Sequence, residues 1–124
     1  MNGIILLAHG SRDPQWTASF EQVRSAVERR RPECATALAY LEQSVPDFAT
    51  AVDQLVARGT TLIEVVPLFL GAGGHVRNDV PHLVERAAAR HAQVRFSMKP
   101  FIGDAQAVLD AIADYAAAKP ATPS

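Results

Sequence analysis

The sequence predicts a three-layer αβα domain on a four-stranded parallel sheet of order 2-1-3-4, a flavodoxin-like arrangement. Two observations carry this. Short apolar runs alternate with segments of helical period, giving β-α-β-α-β-α-β-α, and right-handed crossovers fold such a chain into a parallel sheet with helices on both faces. The first run, Gly3 to Ala8, is continuously apolar rather than alternating, the pattern of a strand buried on both sides.

Each element has its own justification. Residues 3–8 form the first strand and His9 to Asp13 the turn after it. Asp13 suits a helix N-cap and Pro14 the first helical turn. Trp16, Phe20, Val23 and Val27 mark one face of that helix, with Trp16 in the core. Arg29, Arg30 and Arg31 favour its negative end, and Pro32 stops it. Residues 35–41 form the second strand. Ser44 is placed as the next N-cap with Pro46 in the first turn. Phe48, Val52, Leu55 and Val56 form the buried face, and Gly59 ends the helix as its C′ residue. Thr61 to Phe69 is the third strand, with Pro67 near its end interrupting regular pairing. A third helix runs from Arg77 or Asn78 to His91, with Val80, Leu83, Val84, Ala87 and Ala88 inward. Residues 93–98 are the fourth strand. Asp104 caps a last helix whose apolar face is Val108, Leu109, Ile112 and Tyr115.

At 124 residues the chain reads as one domain over 1–118, followed by a flexible tail at 119–124. A net charge of −1 argues against nucleic acid or an anionic membrane as partner, since both favour a basic surface. Cys34 is the single cysteine, which removes intrachain disulfides and thiolate clusters and leaves nitrogen and oxygen as metal ligands. The first apolar run is too short for a signal peptide or a membrane span. A cytoplasmic protein is the expectation.

In sheets of this kind ligands bind outside the carboxyl ends of the strands. With the order 2-1-3-4, the first three strands are neighbours, and His9, Glu42 and His75 lie at or just beyond their ends, each 33 residues from the next. Singly, His9 reads equally as a turn histidine, His75 as a helix-start residue and Glu42 as a solvated acid. Together, two imidazoles and a carboxylate are a normal ligand set for a divalent first-row metal. Gly73 and Gly74 let the backbone bend and a ligand approach. The loop lacks the Gly-Lys-Ser/Thr ending of a P-loop, but Arg12, Arg77, Asn78 and the helix start suit a carboxylated ligand. His82 and His91 read as structural or exposed, Asp79 as a cap or a residue supporting a ligand, and Cys34 as core. Ser11 has no adjacent base for a hydrolase.

Leu7-Ala8-His9-Gly10-Ser11-Arg12-Asp13, Leu41-Glu42 followed by Pro46, Val66-Pro67-Leu68-Phe69-Leu70, Gly73-Gly74-His75-Val76 and Asp79-Val80-Pro81 resemble the motifs of the short class II tetrapyrrole chelatases, the sirohydrochlorin chelatase (CbiX/SirB-type) family. The resemblance covers about residues 3 to 116. It implies a chelatase-like fold and a lyase that inserts a divalent metal into sirohydrochlorin, for cobalamin or sirohaem biosynthesis. Co²⁺ is the first candidate, Fe²⁺ the second, and Ni²⁺ is used in an archaeal branch. It implies that His9, Glu42 and His75 are the metal-site and catalytic residues, that no organic cofactor is needed, and that a single-domain member forms a homodimer. Arg12, Gly73, Gly74, Arg77 and Asn78 are the expected tetrapyrrole contacts. The rival readings are a non-catalytic metal carrier or sensor using the same three residues, and a histidine phosphatase. The latter wants arginine where Ala8 stands.

Overall fold

Residues 1–121 are described by a computed structural model. The elements are β1 (Asn2–Ala8), α1 (Trp16–Arg30), β2 (Ala35–Tyr40), α2 (Phe48–Ala57), β3 (Leu62–Pro67), α3 (Gly74–Arg90), β4 (Arg95–Met98), a 3₁₀ turn (Ile102–Asp104) and α4 (Gln106–Ala117). Every pairing is parallel and the order is β2-β1-β3-β4, as the alternation predicted. Of the tail expected at 119–124, residues 122–124 lie outside the described residues.

The continuous apolar run at the N-terminus becomes the central strand, and Gly3 to Ala8 are all buried. Ile5, Leu7, Ile63 and Val65 meet Phe48, Ala51, Val52 and Leu55 of α2 and Val80 and Ala87 of α3 on one face. Ile4, Leu6, Ala8, Leu38 and Tyr40 meet Phe20 and Val27 of α1 on the other. Fully burying one such aliphatic side chain contributes about 1.5–3 kcal/mol, so β1, apolar on both sides, anchors both layers. At the end of α2, Gly59 has φ +91°. Its N–H bonds to Val56 O at 3.0 Å and that of Thr60 to Leu55 O at 3.1 Å, a Schellman ending that needs a residue without Cβ.

Several local expectations are corrected. α1 starts at Trp16, after a turn in which Asp13 accepts from the Gln15 N–H (2.9 Å) and its carbonyl from the Trp16 N–H (3.0 Å), so Asp13 is a turn residue and no cap. Trp16 is 44% exposed and Val23 43%; only Phe20 and Val27 of that face pack on the core. The cap of α2 is Asp47, whose Oδ1 accepts from the Thr50 N–H at 2.9 Å, because Ser44 is occupied elsewhere. β3 pairs through Pro67, opposite Leu7. As the last strand residue it is followed by Leu68, whose N–H bonds to Leu7 O at 2.8 Å. α3 starts at Gly74, so His75 belongs to its first turn. Ala105 and not Asp104 precedes α4 as its cap. No residue of α4 is buried, because it packs on the 3₁₀ turn rather than across the sheet; Leu109, Ile112 and Tyr115 are exposed.

Candidate functional site

A parallel sheet delivers all its strand ends to one rim. Beyond β1 and β2 the pairing continues for one step, with the Leu41 N–H bonding to Ala8 O at 2.8 Å. The two following turns therefore lie side by side. Ser44 Oγ accepts from the Ser11 N–H at 2.9 Å and donates to Ser11 O at 2.9 Å. A Cβ on Gly10 would stand 1.8 Å from Glu42 O. Only glycine fits there.

This stitching brings together the first two of the three proposed site residues. His9 Nδ1 lies 3.0 Å from Glu42 Oε1, and the same oxygen accepts from the Gly10 N–H at 3.2 Å. The His9 ring meets the buried Phe69 ring edge-on at 4.7 Å between centroids. Its main-chain carbonyl accepts from Trp16 Nε1 at 2.7 Å. The His9 and Glu42 side chains are 48% and 43% exposed, so the pair is held from behind and open in front. An open hollow of about 720 Å³ begins at Glu42 and runs along Leu41, Val45, Pro46 and Thr50.

His75 is exposed on the first turn of α3. Among the described residues no group of three or more His, Cys, Asp or Glu side chains is already gathered as a metal cage. Two of the three touch, and the third stands apart, on the first turn of α3 behind a glycine loop.

That loop is bare. Gly73 is the helix cap and contributes no side-chain acceptor to the free N–H groups of α3. A Cβ at Gly71, Gly73 or Gly74 would meet nothing within 4 Å, and none of them has the left-handed φ that glycine alone adopts easily. The fold itself gives these three positions no reason to be glycine. Gly103, at the base of the loop, is different, since its Cβ would stand 1.7 Å from Leu70 O.

Of the expected substrate contacts, Arg12 and Asn78 are exposed, and among the described residues Arg12 forms no ion pair. Arg77 is not a free cation. Its Nη1 and Nη2 donate to Asp104 at 2.8 and 3.0 Å, its Nε donates to Ala72 O at 3.2 Å, and its guanidinium lies 5.2 Å from the Phe101 ring centre. Hydrogen bonding to Arg77 holds the Asp104 carboxyl below its ordinary range. This clamp ties the start of α3 to the 3₁₀ turn, and Phe101 in turn packs on Phe69, 5.9 Å away. Of the histidines set aside, His82 is exposed near Glu85 (3.5 Å), and His91 joins α3 to α2 through Asp53 at 2.7 Å.

Sequence reasoning missed Phe69 as the backing of His9. The sequence reads it as the last residue of the third strand, whereas β3 ends at Pro67 and Phe69 lies beyond it against the His9 ring. The Ser11–Ser44 stitch had no local signal, because the partners are distant in the chain.

The CbiX family model matches residues 3–118. Curated relatives include the sirohydrochlorin cobaltochelatases of Methanosarcina barkeri, 28% identical over 82 residues (66% of this chain, 63% of the relative), and Saccharolobus solfataricus, 32% identical over 84 residues (68% and 64%). The chain thus matches less than two thirds of the length of these relatives. Among solved structures, the CbiX protein from Marinobacter aquaeolei VT8 is 37% identical with a TM-score of 0.82, covering 94% of both chains. The SirB chelatase from Bacillus subtilis subspecies spizizenii, in complex with cobalt, is 28% identical with a TM-score of 0.70, covering 90% of this chain and 48% of that one. With the sheet order, the rim and a match over nearly its whole length, the chain belongs to the CbiX family.

Proposed function

We propose that this protein is a sirohydrochlorin chelatase, a lyase that inserts a divalent metal, Co²⁺ first and Fe²⁺ second, into the tetrapyrrole. The observation that carries the reading is the His9–Glu42 pair, open to solvent on the same sheet rim that carries the bare glycine loop and His75. The names of the cobaltochelatase relatives, and of SirB structures with cobalt and with Fe³⁺, support it.

In this reading residues 1–118 are one chelatase domain acting in the cytoplasm. The described residues contain no helix long and apolar enough to cross a membrane. The metal is substrate. His9, Glu42 and His75 hold it loosely, by imidazole and carboxylate, and the bare loop lets His75 adjust to it. An open rim leaves coordination positions for ring nitrogens. Insertion replaces two pyrrole N–H protons by the metal, and a site imidazole or carboxylate, once it has released the metal, is the acceptor at hand. The substrate's carboxylates meet Arg12, Asn78 and the free N–H groups near Gly73 and Gly74, while Arg77 supports the loop from its clamp. Two copies form the working unit. The exposed apolar residues of α4 support a homodimer, which sedimentation equilibrium would test.

The experiment is an absorbance time course of sirohydrochlorin with Co²⁺, then anaerobically with Fe²⁺. Acceleration by the protein, reduced about 100-fold or more in His9→Ala and in His75→Ala, is the expected outcome. Co²⁺ binding that needs both histidines, without turnover, would replace the enzyme by a metal carrier.

A further inference from the structure

We propose that Gln43 is a substrate-positioning residue: the fold holds it in a strained turn, and its side-chain amide meets a peripheral carboxylate of the macrocycle beside the His9–Glu42 pair. This rests on the chelatase reading and adds one contact to that site.

Gln43 has φ +65°, and among the described residues it is the one residue other than glycine with a positive φ. The Ser44 N–H donates to Glu42 O at 2.8 Å. That bond closes a γ-turn over Gln43, of the hand that is rare and strained. The fold needs the reversal, because Glu42 faces His9 while Ser44, two residues on, is bonded to Ser11. It does not need glutamine to make it. At Gly59, with φ +91°, the chain meets a similar demand with the residue that suits it. At position 43 it carries a long amide in a conformation that glycine or asparagine adopts more easily. Strain kept where glycine would relieve it points to a use for the side chain.

The surroundings supply that use. Gln43 is exposed, and among the described residues its amide has no hydrogen-bond partner. It lines the open hollow that begins at Glu42, and Asp47 lines the same hollow. A substrate edged with carboxylates therefore meets two acids there. A cation at position 43 would be drawn to those acids, as Arg77 is drawn to Asp104, and would compete with the metal for Glu42. An amide carries N–H donors without charge. It grips a carboxylate and leaves Glu42 to the metal.

The test compares the parent with Gln43→Gly, Gln43→Asn and Gln43→Glu in urea unfolding, metal-free sirohydrochlorin titration, Co²⁺ titration and steady-state metal insertion. Gln43→Gly should raise the urea midpoint by about 0.3–0.5 M as the strain is released. It should weaken sirohydrochlorin binding and raise KM about 3- to 10-fold, as loss of one neutral hydrogen bond does, with kcat and Co²⁺ affinity within about twofold of the parent. Gln43→Asn, which keeps an amide, should bind between the two. Gln43→Glu should bind sirohydrochlorin more weakly than Gln43→Gly, because like charges then meet. Equal sirohydrochlorin binding by parent and Gln43→Gly overturns this proposal and leaves the chelatase reading standing. So does a Gln43→Gly protein no more stable than the parent, since glutamine would then serve the turn. A loss of Co²⁺ affinity in Gln43→Gly overturns it too, since the residue would act through Glu42. Tighter binding by Gln43→Glu than by the parent rules out the carboxylate contact. A parent protein that binds no sirohydrochlorin overturns both readings.

Discussion

His9–Ser11 and Gly71–His75 both carry a strand's end into a helix on the same rim, and they are built in opposite ways. The first turn is sewn to its neighbour by five hydrogen bonds: His9 and Gly10 to Glu42, Ser11 and Ser44 to each other twice, and Leu41 to Ala8. Its glycine is demanded by a backbone atom 1.8 Å from where a Cβ would be. The second loop has three glycines with empty space above them. One half of the rim spends its contacts on holding a ring still. The other leaves backbone uncovered, which only something from outside the chain can use.

The sharpest way to break this contrast is Gly10→Ala. The clash is with main chain, so the turn or the strand pairing must yield, and a loss of about 3 kcal/mol or more in urea unfolding is expected. Gly103→Ala, facing Leu70 O at 1.7 Å, should behave alike, because it anchors the bare loop at its base. Ser44→Ala removes the double stitch and should cost about 1–2 kcal/mol, leaving the half-buried Ser11 groups to water. Asp104→Asn tests the clamp beneath the loop by its pH dependence. With the folded carboxyl lowered by Arg77, its stabilisation is present above the unfolded value of about 3.9 and is lost as pH falls through the lower folded value. The difference in urea midpoint between parent and variant should be full near neutrality and shrink below about pH 4. The smallest effect is expected for Gly71→Ala. Stability should change by no more than about 0.5 kcal/mol, while the proposed metal insertion slows. An equal fall in both would mean that the loop's glycines serve the fold.

The sheet order was readable because β1 and β3 are written as dense apolar strands and the helices between them are periodic. The meeting of His9 with Glu42 followed from that order. What could not be read were choices made by distant partners. Ser44 has the chemistry of a cap, yet its hydroxyl goes to Ser11. Asp104 looks like a cap, yet Arg77 takes it. Trp16 is in phase with Phe20 and Val27, yet it stays half outside, bonded to the His9 carbonyl. Local periodicity says which way a side chain faces, and only the finished fold says whether anything is there to cover it. The start of α3 is also unmarked: Gly73 caps it without a side chain, so the helix begins at Gly74, before the Arg77 or Asn78 that the pattern suggests.

The central place of β1 also has a consequence in time. Of the four strands it is made first, and it needs two partners. β2 follows within one crossover, so β1, α1 and β2 can form an early unit, bringing His9 and Glu42 together before the rest exists. The other edge of β1 must wait for Leu62 to Pro67. Until then a fully apolar strand has one open side. Pairing that spans the chain is slow to form and exposed to misassociation. Conditions that slow synthesis between β2 and β3 should therefore favour aggregation over yield, even though the finished fold is unchanged.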